Sequence, residues 1–311
     1  MQQRRSCTDS SFNTKTIRGY YIMKETNEIG IIRLGEPAYP ARLEEIKNPP
    51  KTLYYVGNPE ILQRRCVAVV GSRTTTAYGR NMGTAIGMKL ARQGITVVSG
   101  MALGIDSCAH EGALSAEGFT AAVLGCGVDI CYPRENATLK RDIERSGIVL
   151  SEYEPGTPAE RYNFPNRNRI ISGLCEMTIV VQARNRSGAL ITAELAMEQG
   201  REVMALPGNI DSQYNLGNNK LISEGAAPVV SLDDILEPLG LRQMNESRAM
   251  EELSDTEYAL YNLLKEQGEM TIDEICLHMG QRPAYVNPIL SVMEMKGFVF
   301  SALGKFFLAN T

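Results

Sequence analysis

The sequence predicts an α/β protein: a doubly wound, mostly parallel β-sheet followed by a small C-terminal winged-helix domain. Three observations predict it. Six short apolar runs, at 67–70, 95–98, 120–124, 148–150, 178–181 and 202–206, are continuous and rich in β-branched residues, as strands buried on both faces are. Glycine-rich segments follow the strand ends (Gly71-Ser72-Arg73, Ser99-Gly100, Gly125-Cys126-Gly127, Pro207-Gly208-Asn209), and helix-like stretches separate the runs. Beyond residue 253 the rhythm changes to three helical segments and a terminal hairpin, the winged-helix pattern.

In chain order, residues 1–28 are polar with scattered basic side chains and read as a flexible tail. They contain no apolar segment of the secretory kind. Residues 29–65 hold short segments punctuated by Pro37, Pro40, Asn48-Pro49-Pro50 and Gly57-Asn58-Pro59, with one strand at 52–57. Residues 29–238 form the main domain, with helices expected at 82–93 and 190–199 and closed by Gly94 and Gly200 at their C′ positions. Residues 239–253 read as a polar linker. Within 254–311 helices are expected at 256–266, 272–279 and 284–296, followed by the hairpin at 298–308.

With 43 % hydrophobic and 22 % charged residues, the composition excludes wholesale disorder and a coiled coil. No apolar run approaches the ~18 residues of a membrane span. The seven cysteines are odd in number and mostly among apolar neighbours, which fits free thiols in a reducing cytoplasm. With only His110 and His278 and no CxxC, a Cys/His metal site is not expected. The net charge of −4 offers no global attraction for nucleic acid, but it is uneven: residues 1–65 carry +4, residues 66–236 carry −3 and residues 251–311 carry −5.

Several motifs carry chemistry. Val69-Val70-Gly71-Ser72-Arg73, followed by Tyr78-Gly79-Arg80, reads as a strand, a Gly-Ser turn and a helix start, a cradle for a phosphate. Its spacing is neither the dinucleotide nor the P-loop fingerprint, so no cofactor is implied, and a plain βα turn with a surface arginine is the other reading. Ser99-Gly100-Met101-Ala102-Leu103-Gly104-Ile105-Asp106 is a sharp strand-to-helix turn in which Asp106 is expected to N-cap the helix; Asp106 with His110 lacks a third metal ligand.

Arg161-Tyr162-Asn163-Phe164-Pro165-Asn166-Arg167-Asn168-Arg169 interleaves arginines for phosphates with aromatic faces for unstacked bases. It reads as a loop. The competing reading pairs its arginines with Glu152, Glu154 and Glu160 upstream. Arg186-Ser187-Gly188-Ala189 is a second helix start suited to phosphate. The amide-rich stretch from Pro207 through Lys220 serves either base hydrogen bonding or turn chemistry. No nucleophile–base set and no acidic two-metal cluster is evident, which favours binding over catalysis.

In this order and spacing, these motifs resemble the DprA/Smf family (DNA-processing protein A), from about Ile29 to the C-terminus. Tyr132-Pro133-Arg134-Glu135-Asn136 and Leu206-Pro207-Gly208 extend the match. The resemblance implies an extended Rossmann-like fold that binds single-stranded DNA, protects it during natural transformation, loads the RecA recombinase and dimerises through the Rossmann-like domain. It carries the family's DNA pocket onto Gly71, Ser72, Arg73, Arg161 and Phe164, and its Arg-Asn-Arg onto Arg167, Asn168 and Arg169. Arg80, Gly100, Gly104, Ser187, Gly188 and Lys220 complete the expected DNA-contacting set.

Three features depart from the family. Leu103 stands where an arginine is frequent, and the helical N-terminal domain of many members is expected to be absent or truncated. The winged helix is acidic, with only Lys296 as a cation in its third helix, so protein contact or capping of the fold is expected of it rather than a grip on duplex DNA. Two other classes stay open: a Rossmann-like nucleoside-phosphate hydrolase with Glu194 as its acid, and an interaction protein docking through the winged helix.

Overall fold

A computed structural model describes residues 28–241, 253–296, 298–302 and 304–308. The expected tail and most of the expected linker lie outside these residues.

The main sheet has nine strands: β1 (Gly30–Arg33), β2 (Thr52–Gly57), β3 (Cys66–Gly71), β4 (Thr96–Ser99), β5 (Thr120–Val123), β6 (Ile148–Ser151), β7 (Met177–Gln182), β8 (Glu202–Ala205) and β9 (Ala227–Pro228). Their spatial order is β1-β2-β6-β5-β4-β3-β7-β8-β9. From β6 to β9 all neighbours are parallel; β2 runs antiparallel to both β1 and β6 at one edge. The expected strand at 52–57 is β2, and β1 is an additional strand paired with it.

Seven α-helices belong to this part among the described residues: α1 (Ala41–Glu44), α2 (Ala77–Arg92), α3 (Ile105–Ser115), α4 (Ala137–Ser146), α5 (Asn163–Gly173), α6 (Gly188–Glu198) and α7 (Leu216–Ser223). Successive strand side chains point to opposite faces, and β3 shows both faces covered. Val67 and Val69 pack with Ile86, Leu90 and Ala109 of α2 and α3, whereas Ala68 and Val70 share a core with Ile170, Ile171 and Ala193 of α5 and α6. A third cluster joins Leu139 and Ile143 of α4 to Ala122, Leu124 and Val149. This two-sided burial is why the strands lack polar alternation.

Helices end where the glycines predict, with Gly94 and Gly200 at φ +71° and +67°. Helix α2 starts five residues earlier than expected, because Gly79 and Gly83 hide its first turns from a propensity reading. Leu239 and Leu241 pack into the α2/α3 core instead of beginning the linker.

The C-terminal part folds around its own core of Leu260, Leu264, Ile275, Val286, Leu290 and Val299. It contains α8 (Asp255–Gln267), α9 (Ile272–Met279), α10 (Pro283–Met295) and a three-stranded sheet in the order β10 (Met270–Thr271), β12 (Lys305–Leu308), β11 (Val299–Ala302). Reciprocal capping boxes, Ser254 with Glu257 and Thr271 with Glu274, set the starts of α8 and α9. The Lys296 ammonium lies 2.8 Å from both Glu257 carboxylate oxygens, so the lone cation of the third helical segment is ion-paired within its own unit.

The six described cysteines are free. No helix among the described residues is long and apolar enough to cross a membrane.

Candidate functional site

The direction of strand succession reverses between β3 and β7: β4, β5 and β6 lie on one side, β8 and β9 on the other. Loops leaving the carboxyl ends diverge at such a switch point and leave a crevice. Here it is a cavity of about 550 Å³, walled by the end of β3 and its turn, the start of α5, and the segment between β7 and α6.

The turn after β3 is held in place by β7. A register shift at Val70/Gly71 bends the strand end, and Ser72 N–H donates to Gln182 O at 2.7 Å. Ser72 Oγ donates to Thr74 O at 2.8 Å. Helix α2 begins only at Ala77, N-capped by Thr76. Residues 72–76 thus lie between the strand end and the helix start, and the Ser72 N–H and hydroxyl hydrogen, both expected in the phosphate cradle, are spent within the protein.

Gln182, buried at the end of β7, ties two loops together. Its Oε1 accepts from Thr75 Oγ1 and Thr76 N, and its Nε2 donates to Asn215 Oδ1 at 2.9 Å. Nothing in its local sequence marks this role. The amide-rich stretch resolves the same way. Asn218 Nδ2 donates to Val180 O and Leu206 O, and Asn219 pairs through both side-chain atoms with the Gly208 backbone. These amides are turn chemistry.

The second turn carries another correction. Asp106 does not cap α3, whose N-cap is Gly104. Its carboxylate accepts from the N–H groups of Gly100 (3.2 Å) and Ala102 (3.4 Å), tying down the turn that precedes the helix. Gly104, at φ +87°, lets this turn press on the first one: a Cβ there would sit 2.4 Å from Ser72 O.

Arg167 is the buried centre of the site. The segment expected to be an arginine–aromatic loop is a helix from Asn163 onward, with Pro165 tolerated in its first turn. Its inward face carries Asn163, Arg167 and Asn168 in the first turns and turns apolar only at Ile170 and Ile171, which hides the helical period. Arg167 Nη1 donates to Gly100 O at 2.9 Å and to Val123 O, joining the ends of β4 and β5. A Cβ on Gly100 would fall 2.6 Å from this guanidinium. Burial pushes Arg167 down to about 10 and pushes the Asp106 carboxyl up, each opposed by the other's charge. The Arg167 Nε–H has no protein partner.

The exposed wall is aromatic and cationic. The Phe164 and Tyr132 ring centroids are 5.2 Å apart, and the Arg73 guanidinium lies 5.4 Å over the Phe164 ring. Five arginines (73, 161, 167, 184 and 186) face one carboxylate, Asp106, in the lining. Among the described residues, Arg73, Arg161, Arg184 and Arg186 form no ion pair.

Of the sequence-expected residues, Gly71, Ser72, Arg73, Arg161, Phe164, Arg167, Asn168, Ser187 and Gly188 line this cavity. Ser187 Oγ is also the N-cap of α6. Gly100 and Gly104 lie behind it. Arg80, Arg169 and Lys220 are not brought to it. Arg169 is bidentate with Glu152 (2.6 and 2.8 Å), as the competing reading required; Lys220 lies 3.5 Å from Glu224, and Arg80 reaches Thr75 O. Tyr132, Arg184, Arg186 and Ile191 belong to the lining without being in the expected DNA-contacting set. Tyr132 and Arg186 stand in motifs that carry the resemblance, whereas Arg184 precedes its motif by two residues. Glu194 is exposed and outside the lining.

No cluster of His, Cys, Asp or Glu suited to a metal exists among the described residues, and His110 is engaged inside the fold. Thr120 Oγ1 donates to Val97 O, so His110 Nδ1–H donates to Thr120 Oγ1 at 2.6 Å and Nε2 is left buried and unpartnered. Burial, aided by Arg167, lowers the imidazole from 6.5 to about 3. The unfolded chain therefore takes up the proton first, and stability falls as pH drops from 6.5 toward 3. Urea midpoints of His110→Gln across this range are expected to depend less steeply on pH than those of the wild type; identical slopes would refute the assignment.

The family model described as DNA recombination-mediator protein A matches residues 30–240. DNA processing protein DprA of Bacillus subtilis is 42 % identical over 217 residues, 70 % of this chain and 73 % of that protein. The crystal structure of DNA processing protein A from Streptococcus pneumoniae aligns with a TM-score of 0.65 at 43 % identity, over 68 % of this chain and 74 % of that one. A Helicobacter pylori DNA processing protein A, whose structure is described for its single-stranded DNA binding mode, aligns at 0.63 and 30 % identity, over 70 % of this chain and 98 % of that one.

Proposed function

This chain belongs to the DNA recombination-mediator protein A (DprA/Smf) family, and from that premise we propose that it binds single-stranded DNA without regard to sequence, protects incoming strands and loads RecA onto them during natural transformation. In this reading it works in the cytoplasm as a homodimer through the Rossmann-like domain. The observation that carries the DNA-binding part is the cavity at the β3/β7 switch point, where unpaired arginines surround a Phe164–Tyr132 platform. Cations that track phosphates and rings that take base faces are what sequence-tolerant single-strand binding needs.

The reading is non-enzymatic. The lining's one carboxylate is committed to the Gly100 and Ala102 N–H groups, and Glu194 stands outside. The winged helix is assigned to protein contact or to capping the fold. Its Lys296 is engaged with Glu257, leaving α10 without a cation for a duplex backbone.

Mobility shift with labelled oligothymidylate, oligodeoxyadenylate and a duplex of equal length tests the proposal. Both single strands are expected to bind at low salt, and more tightly than the duplex. No shift with either single strand would overturn it.

A further inference from the structure

One stacked arginine–aromatic pair beside the cavity is used by nothing described above. Arg184 lines the cavity directly after β7, and its guanidinium lies 4.5 Å over the Tyr214 ring. Its Nε–H is buried without a partner, and among the described residues no carboxylate pairs with it. Tyr214 is half-buried and is held by its neighbour, since Asn215 Oδ1 accepts from the buried Gln182. Ile210 and Leu216, four residues before and two after Tyr214, are 88 % and 43 % exposed. The pair is therefore cationic and aromatic, positioned by the fold and partly open to solvent.

We propose that the Arg184–Tyr214 pair is a second stacking station, which takes an unpaired base of the same strand whose phosphates and base occupy the Phe164 side of the cavity. The inference rests on the single-strand reading above. Arginine planes and tyrosine faces both accept bases without reading them. The spacing defines what can bridge the two stations. Phe164 sits over Gly125 at the end of β5, and Arg184 follows β7, three strand positions away in the sheet. At ~4.8 Å per strand that is about 14 Å, roughly four times the ~3.4 Å rise of a stacked strand. A strand of about five stacked nucleotides, or fewer when extended, reaches both and a dinucleotide does not, so the station favours longer oligonucleotides over short ones. Because a paired base has no free face to give it, the station also favours single strands over a duplex.

The test measures affinity of the full-length protein for a thymidine dinucleotide and for an oligothymidylate of about twelve nucleotides, each over a salt series. Tyr214→Leu removes the π face and keeps an apolar side chain; Tyr214→Phe keeps the ring. Tyr214→Leu is expected to weaken the long ligand about 5- to 100-fold with an unchanged salt slope, and Tyr214→Phe to stay within about twofold of wild type. The dinucleotide is expected to bind all three proteins alike.

Wild-type affinity in Tyr214→Leu for the long ligand, alongside loss in Arg73→Ala, would overturn the station and leave the cavity reading standing. Failure of the wild type to bind the long ligand would overturn both. Equal loss in Tyr214→Phe, or loss of the dinucleotide in Tyr214→Leu, would assign Tyr214 to the hydroxyl or to the shape of the cavity and overturn stacking. Should Tyr214→Leu not fold, Arg184→Gln decides. It is expected to weaken the long ligand and flatten its salt slope, and wild-type behaviour would overturn the proposal.

Discussion

Arg167→Ala is expected to lower the free energy of unfolding by about 3–5 kcal/mol, the range for removing one member of a buried charged arrangement. Three losses combine. Gly100 O and Val123 O lose their donor at the ends of β4 and β5. Asp106 stays buried with the charge that opposed its desolvation gone. The space that Gly100 leaves for the guanidinium becomes a cavity. Arg167→Lys is expected to recover little, because an ammonium is a point charge without the planar fork that reaches both carbonyls. Urea unfolding of the purified variants measures this. A midpoint for Arg167→Ala indistinguishable from wild type would show that the strand ends do not depend on this side chain.

For the joint variant Arg73→Ala/Arg161→Ala, the expected result is weaker single-strand binding, on the order of 100-fold, with little change in stability. Both side chains are exposed and neither is in an ion pair among the described residues, so removing them strands no buried group. The salt dependence is the sharper readout. Each lost phosphate contact should flatten the slope of log affinity against log salt by about 0.7 for a single strand. Arg73 also lies over Phe164, so Arg73→Ala alone should affect the base-stacking face as well as the charge. An unchanged slope in the joint variant would exclude both arginines from phosphate contact.

The strands and most helices were readable because their signals are local. Val67 through Val70 are apolar in succession, since β3 is covered on both faces. Gly94 and Gly200 mark helix ends through their own positive φ. Helix α5 was not readable because the polar residues Asn163, Arg167, Asn168 and Ser172 are buried on it beside Ile170 and Ile171, and Arg167 and Asn168 are satisfied only by distant backbone. Asp106 looked like a cap from its neighbours and proved to serve the turn before its helix. Gln182 gave no warning at all, yet it holds the turn after β3 and the loop carrying Tyr214.

The fold class, the position of the glycine turns at strand ends and an arginine-rich segment all follow from the order of residues along the chain. Which arginines are free does not. Arg167 and Arg169 are two residues apart on one helix, and neither presents itself to solvent as a simple cation. One is buried on carbonyls 67 and 44 residues away, and the other is claimed by Glu152. Arg73, Arg161 and the neighbours Arg184 and Arg186 come from three separate segments and meet at one cavity without carboxylate partners among the described residues. Periodicity and turn chemistry are short-range properties of the chain. Whether a charge is spent or available depends on what the long-range packing of the sheet brings within reach of it.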